Sequence, residues 1–237
     1  YGYMWAYDHP DSAADDEMEQ PMVWIVPPMD RSPAEIVRIP FGRWGALQGS
    51  LLNLSYGTGQ IFLVPNETVG QDLQGGVVAL PLPLFPTGTM RGRFHPQDGQ
   101  LYTCGLFGWA GNRTADGGFF RVRYTGKPYH LPISIHATPQ GVQLTFTEAL
   151  DVASVQAASN YSVKSWGLKR AERYGSPNLG EKTLQVKSAR LLPDGKTISL
   201  EIPEIQPTRC MAIILSVRAA DGAPINRQIH NTIHALK

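Results

Sequence analysis

Short apolar runs recur along this chain roughly every 8–15 residues, most of them closed by glycine or proline, a rhythm that suits strands and turns and leaves little room for long helices. Residues 49–56 (GSLLNLSY) and 60–64 (QIFLV) flank the turn Gly57-Thr58-Gly59, and residues 74–82 (QGGVVALPL) repeat the design. Two earlier runs are VWIV at 23–26, stopped by Pro27-Pro28, and residues 36–39, before the turn FGRWG. No amphipathic helical pattern falls between these runs, which argues against βαβ units and for a sandwich, barrel or propeller. The expectation is an all-β protein.

The best-formed turn is Gln97-Asp98-Gly99-Gln100, between residues 91–94 and 101–104. Asp-Gly suits the positive φ of a tight hairpin. A glycine-rich loop carrying Trp109 is expected over residues 105–118, then a strand at 119–124 (FFRVRY). The composition shifts after Lys127-Pro128. Residues 141–146 (GVQLTF) alternate like a half-buried strand, and residues 152–158 allow a turn or two of helix. Further strands are expected near 160–166, 184–189, 197–202, 211–217 and 229–233, with Pro193-Asp194-Gly195-Lys196 as a hairpin turn. Roughly 100 residues in about six strands is the size of an immunoglobulin-like sandwich.

Charged residues make up 17% of the 237 positions, below the roughly 25% of ordinary domains, while 24 glycines and 19 prolines fit a turn-rich β chain. The net charge of +1 gives no case for nucleic acid, although the distribution is uneven. Residues 1–30 carry seven acids and no Lys or Arg; residues 160–237 carry twelve Lys or Arg against six acids. No apolar run is long enough to span a membrane, and no signal peptide is visible. Cys104 and Cys210 fall in different expected strands and read as buried free thiols, with a disulfide between them as the alternative. No Cys-x-x-Cys-His motif attaches a haem, and no Cys or His spacing suggests zinc. Phosphate loops, nucleophile elbows and His-Glu-x-x-His helices are absent as motifs.

Residues 41–130 resemble the last blades of the large secreted propeller proteins of planctomycete and verrucomicrobial bacteria, relatives of soluble glucose/sorbosone dehydrogenases. The segments that carry the resemblance are RWGALQGSLLNLSYGTGQIFLV, QGGVVALPL, MRGRFHPQDGQLYTCGLFGW and GGFFRVRYTGKP. Residues 141–237 look like the Ig-like module that follows that propeller, through LTFTEALD, NYSVKSW, YGSP, LPDGKTISLEIP, RAADG and HNTIHAL. The resemblance implies C-terminal propeller blades over residues 1–127, a linker at 128–140 and an Ig-like sandwich at 141–237. A blade takes about 40–50 residues and a propeller has 4–8 of them, so residues 1–127 supply roughly three at most. The chain is therefore expected to be the C-terminal part of a longer protein, or to be completed by another subunit.

In sugar dehydrogenases of this type a pyrroloquinoline quinone lies over the propeller channel, and arginines bind its carboxylates. An Arg fork suits a planar carboxylate because its donors are charged and rigidly spaced. The resemblance places Arg91 and Arg93 at that position, Arg91 the better match. The family's cofactor-binding lysine falls on Gly57, and its catalytic histidine lies upstream of this chain, so no catalytic residue is expected here. The implied role is a portion of a secreted, periplasmic or cell-surface quinone-dependent sugar or alcohol dehydrogenase that passes electrons to a c-type cytochrome. The alternative is a non-catalytic glycan- or protein-binding scaffold. Its expected sugar-stacking residues are Trp109 and Tyr56, with Trp44 and Phe107 in similar glycine-rich surroundings.

Overall fold

The computed structural model describes residues 20–108, 113–169 and 175–237. Sixteen strands form three antiparallel sheets among these residues, with one short helix, α1 (Val152–Gln156). The all-β expectation holds, and none of the sheets closes into a barrel.

The first half contributes β1 (Pro33–Arg38), β2 (Leu51–Ser55), β3 (Ile61–Val64), β4 (Asn66–Val69) and β5 (Asp72–Ala79). It then forms a separate three-stranded sheet from β6 (Arg91–Phe94), β7 (Leu101–Gly108) and β8 (Arg113–Val122). The second half runs through β9 (Pro132–Thr138), β10 (Gly141–Phe146), β11 (Tyr161–Leu168), β12 (Asn178–Leu184), β13 (Ser188–Leu191), β14 (Thr197–Glu201), β15 (Thr208–Arg218) and β16 (Pro224–Ile233). The order β13-β14-β10-β9 makes a four-stranded sheet. A nine-stranded sheet runs β1-β2-β3-β5-β16-β15-β11-β12, with β4 also paired to β5.

β5 is the strand that joins the halves. Its end pairs with β3 on one side (Leu63↔Val78), and its middle pairs with β16 on the other (Val77↔His230, Gly76↔Asn231). Three backbones converge there because residues 75 and 76 have no side chain. A Cβ on Gly75 would lie 2.5 Å from the Pro65 carbonyl oxygen, and one on Gly76 would lie 2.9 Å from that of His230. The Gly-Gly of QGGVVALPL thus serves close approach between strands.

The core follows the strand alternation. Val142, Leu144 and Phe146 of β10 and Ile198 and Leu200 of β14 face Val163, Ile213, Leu215 and Ile229 of the large sheet within one cluster of buried residues. Leu52, Leu54, Ile61 and Leu63 from the first half belong to the same cluster, so one core spans both halves. Asp151 caps α1 by accepting from the Ser154 amide at 2.8 Å.

Four local expectations change. Residues 132–138, within the expected linker, form β9, whose free edge is tied down by Glu67 and Lys237: Ala137 N donates to Glu67 Oε1 at 3.0 Å and Lys237 N donates to Ala137 O at 3.0 Å. Residues 23–26 form no strand. Trp24 bonds instead through side chains, its amide donating to Thr232 Oγ1 (2.8 Å) and its carbonyl accepting from His230 Nε2 (2.6 Å). The described residues of the glycine-rich stretch, 105–108 and 113–118, are strand, with Gly105 opposite Gly118 and Leu106 opposite Gly117. Residues 184–189 divide between β12 and β13, which belong to different sheets.

Candidate functional site

The β6–β8 sheet buries one face and presents the other to solvent. Gly92 and Leu101 point inward, and Phe120 stacks edge-on with Phe85 at 5.1 Å. Arg91, Cys104 and Phe119 stand in one cross-strand row, and Arg93, Tyr102 and Arg121 in the next. This outward face lines an open groove of 680 Å³. Tyr102 and Phe119 stack at 5.7 Å between centroids, and Phe119 is 73% exposed. His95 meets the edge of Tyr102 at 5.7 Å, and the Tyr102 hydroxyl donates to Asp98 Oδ2 at 2.8 Å. The Asp98 carboxyl is held below its ordinary range by the Gln100 amide first, and also by Tyr102, His95 and Arg121.

The hairpin turn forms as expected, with Gly99 at φ 68°, Gln100 N donating to Asp98 Oδ1, and Gly99 N donating to His95 O. Trp44 Nε1 donates to the Gly99 carbonyl at 3.0 Å, which fixes the turn against a buried ring.

Arg91 and Arg93 both line the groove, but their roles differ. Arg93 Nη1 donates to Glu35 Oε1 at 2.7 Å, while the Gly92 amide donates to Glu35 Oε2 at 2.7 Å. Burial raises the Glu35 carboxyl, yet the Gly92 and Arg93 bonds and the Arg93 and Arg91 charges outweigh it, so it sits below its ordinary range. Arg91 Nη1 donates only to the Met90 and Ala34 carbonyls, at 2.8 and 3.4 Å. Its guanidinium has no carboxylate within ion-pair distance among the described residues.

Tyr56 is not brought to this groove. It is half-buried, its amide donating to the Ser32 carbonyl and its backbone packed on Gly88, whose Cβ would lie 2.0 Å from Tyr56 O. Trp109 lies outside the described residues. Trp44 is a core ring, 6% exposed, edge-on to Phe94 and stacked on Tyr124. Phe107 is 51% exposed. Both cysteines are free; Cys104 is exposed rather than buried, and burial pushes the Cys210 thiol up to about 12.

Of the two arginines expected to meet a quinone's carboxylates, Arg91 faces the groove with no carboxylate partner among the described residues, and Arg93 is already paired. Arg93 is engaged by Glu35, and a side chain at Gly57 would start 2.4 Å from the Arg31 carbonyl oxygen. No lysine can occupy that place without moving the backbone. What the groove offers is the Arg91 guanidinium, with no carboxylate at ion-pair distance among the described residues, beside the stacked Tyr102–Phe119 pair.

The period-2 alternation of RGRF was enough to show Arg91 and Arg93 on one face. Tyr102 and Phe119 as their neighbours depended on the β7–β8 register, which the glycine-rich stretch obscured. No protein-family model matches the chain, and neither does any curated protein or solved structure.

Proposed function

We propose that the chain is a non-catalytic portion or subunit of a secreted, bacterial, dehydrogenase-like propeller protein, with residues 141–237 as an Ig-like sandwich joined to blade-like sheets. The observation that carries this reading is the outer face of β6–β8. That sheet has three strands where a propeller blade has about four. It leaves Phe119 73% exposed beside Tyr102 and Arg91, a face better suited to another sheet than to water. The resemblance of residues 41–130 to propeller blades supports the same assignment. In the assembly, a sugar or related alcohol is oxidised elsewhere, electrons pass to a c-type cytochrome, and this chain supplies sheet closure and a docking domain.

The test is quinone-supplemented dye reduction over a panel of sugars. The isolated chain should show no activity, and the particle purified from its natural source with an antibody to this chain should show it. Turnover by the isolated chain, or none by the particle on any sugar, contradicts the proposal.

The Tyr102–Phe119 pair flanked by Arg91 favours one second reading, a glycan-binding scaffold, since ring faces stack on sugars. Retention of the isolated chain on a glycan array, abolished by Phe119→Ala and Tyr102→Ala together, would select it over the first.

A further inference from the structure

A second cleft, of 450 Å³, lies where the chain crosses from β8 to β9, between the two halves. Trp44, Tyr124 and Tyr129 supply aromatic walls, and Arg123, Lys127 and Arg227 supply charge. Among the described residues, no acidic side chain lines it. Trp44 and Tyr124 stack at 6.3 Å, and Tyr129 meets the edge of Tyr124 at 6.1 Å.

Arg227 is the unusual member. It is half-buried, and its three hydrogen bonds all go to neutral carbonyls: Nε to His130 O (3.2 Å), Nη2 to Tyr129 O (3.1 Å) and Nη1 to Asn226 O (3.0 Å). No carboxylate pairs with it among the described residues, and burial lowers its pKa. The nearest part of the chain does hold an acid, Glu148, but its carboxylate accepts from the Tyr129 and His130 amides and the Thr147 hydroxyl. A desolvated cation without a counter-ion is costly in a folded protein, and a guanidinium has five N–H donors, of which three are used. The same two residues that orient Arg227 are fixed from behind by Glu148, and His130 takes a left-handed backbone at φ 48°. Arg227 is thus oriented by the fold and left with charge and donors to spare.

We infer that this cleft binds a small organic carboxylate with a ring body, its carboxylate on Arg227 and its ring against Tyr124 and Tyr129. The two N–H groups that Arg227 leaves unused and its planar charged fork suit a carboxylate. The aromatic walls suit a ring, and the volume falls within the range of small-molecule sites, roughly 300–1,000 Å³. Arg123 and Lys127 at the cleft add attraction for an anion and none for a neutral compound. Sugar acids and aromatic acids share this chemistry, and titration separates them. The inference does not depend on the proposed role of the β6–β8 face, because none of these residues lines that groove.

The experiment is calorimetric titration of the whole chain at low salt with glucuronate and with benzoate, against glucose, benzyl alcohol and inorganic phosphate. One of the two acids should saturate at a single site, with the neutral counterpart about tenfold weaker or worse, as loss of a charged hydrogen bond requires. Whichever acid saturates identifies the source as sugar or aromatic. Arg227→Gln should weaken that acid by a similar factor, and the distant surface change Arg190→Gln should leave it unaltered. Arg227→Gln also releases three carbonyls and can disturb the loop, so a readout on the unaltered protein is needed. Phenylglyoxal labelling followed by mass spectrometry provides it: the saturating acid should slow modification of Arg227 and not of Arg190. Absence of saturable binding by either acid, equal binding of phosphate, or unprotected labelling of Arg227 would overturn the inference.

Discussion

Gly57 and Asp30 belong to one polar turn, in which Asp30 accepts from Ser55 and Thr58 on either side of Gly57. The Gly57 amide donates to the Arg31 carbonyl at 3.0 Å, and any Cβ on residue 57 would lie 2.4 Å from that oxygen. Gly57→Ala should therefore cost about 1–3 kcal/mol, as overpacking against backbone does, read as a lowered urea midpoint. Asp30, 3% exposed, accepts from the Arg31 amide, the Asn53 amide side chain and the Ser55 and Thr58 hydroxyls, with no cation paired to it among the described residues. Burial raises its pKa above the ordinary 3.8, and these four bonds only partly oppose it. Asp30→Ala should cost roughly 2–4 kcal/mol, because it strands buried donors. The sign of its pH dependence follows from linkage. The folded state holds this proton at higher pH than the unfolded chain, so Asp30 contributes most below 3.8 and loses that contribution as pH rises through the folded value. The stability gap between native protein and Asp30→Ala should thus widen on acidification toward 3.8; a gap that narrows would contradict the assignment.

Among elements, β4 ties the free edge of β9, whose other edge pairs with β10, through one side chain. Glu67 accepts from the Ala137 amide (3.0 Å), bonds His136 Nδ1 (2.5 Å) and accepts from Gln74 Nε2 (2.8 Å). Gln74 in turn accepts from the His234 and Ala235 amides and donates to the Ala235 carbonyl, which ties the C-terminal residues to β5. Glu67→Ala should cost about 1–3 kcal/mol and speed hydrogen exchange at Ala137. Unchanged exchange there would show that β9 does not need this tie. The elements legible in the sequence are those set by local chemistry. Asp98-Gly99 and Asp194-Gly195 mark the β6–β7 and β13–β14 hairpins because a positive φ at glycine is written into the residue type. The β7–β8 pairing was not legible, since glycines read as loop unless their partners are known. Gly105 is glycine because a Cβ would meet the Gly88 carbonyl, a contact that no local pattern reveals. Residues 23–26 mislead in the opposite way, being apolar and extended but bonded to side chains of β16.

At the scale of the molecule, the junction at β5 and the shared buried cluster make the two halves one packed body. Calorimetry should show a single unfolding transition with matching calorimetric and van't Hoff enthalpies; two resolved transitions would mean the halves are thermally independent. That junction was hidden in the sequence, because pairing between residues 76–77 and 230–231 is set by packing across the whole chain rather than by any local motif. Arg227 was hidden for the same reason: its carbonyl partners lie 97 and 98 positions away. The outward row of Arg91, Cys104 and Phe119 remains the feature that most calls for a larger context, and the proposed assembly supplies it. Native mass spectrometry of the particle carrying this chain, purified from its natural source, tests that claim most directly. The account predicts a mass well above 26.0 kDa that includes further β-rich polypeptide, covalent or associated. A monomeric particle of 26.0 kDa would contradict it.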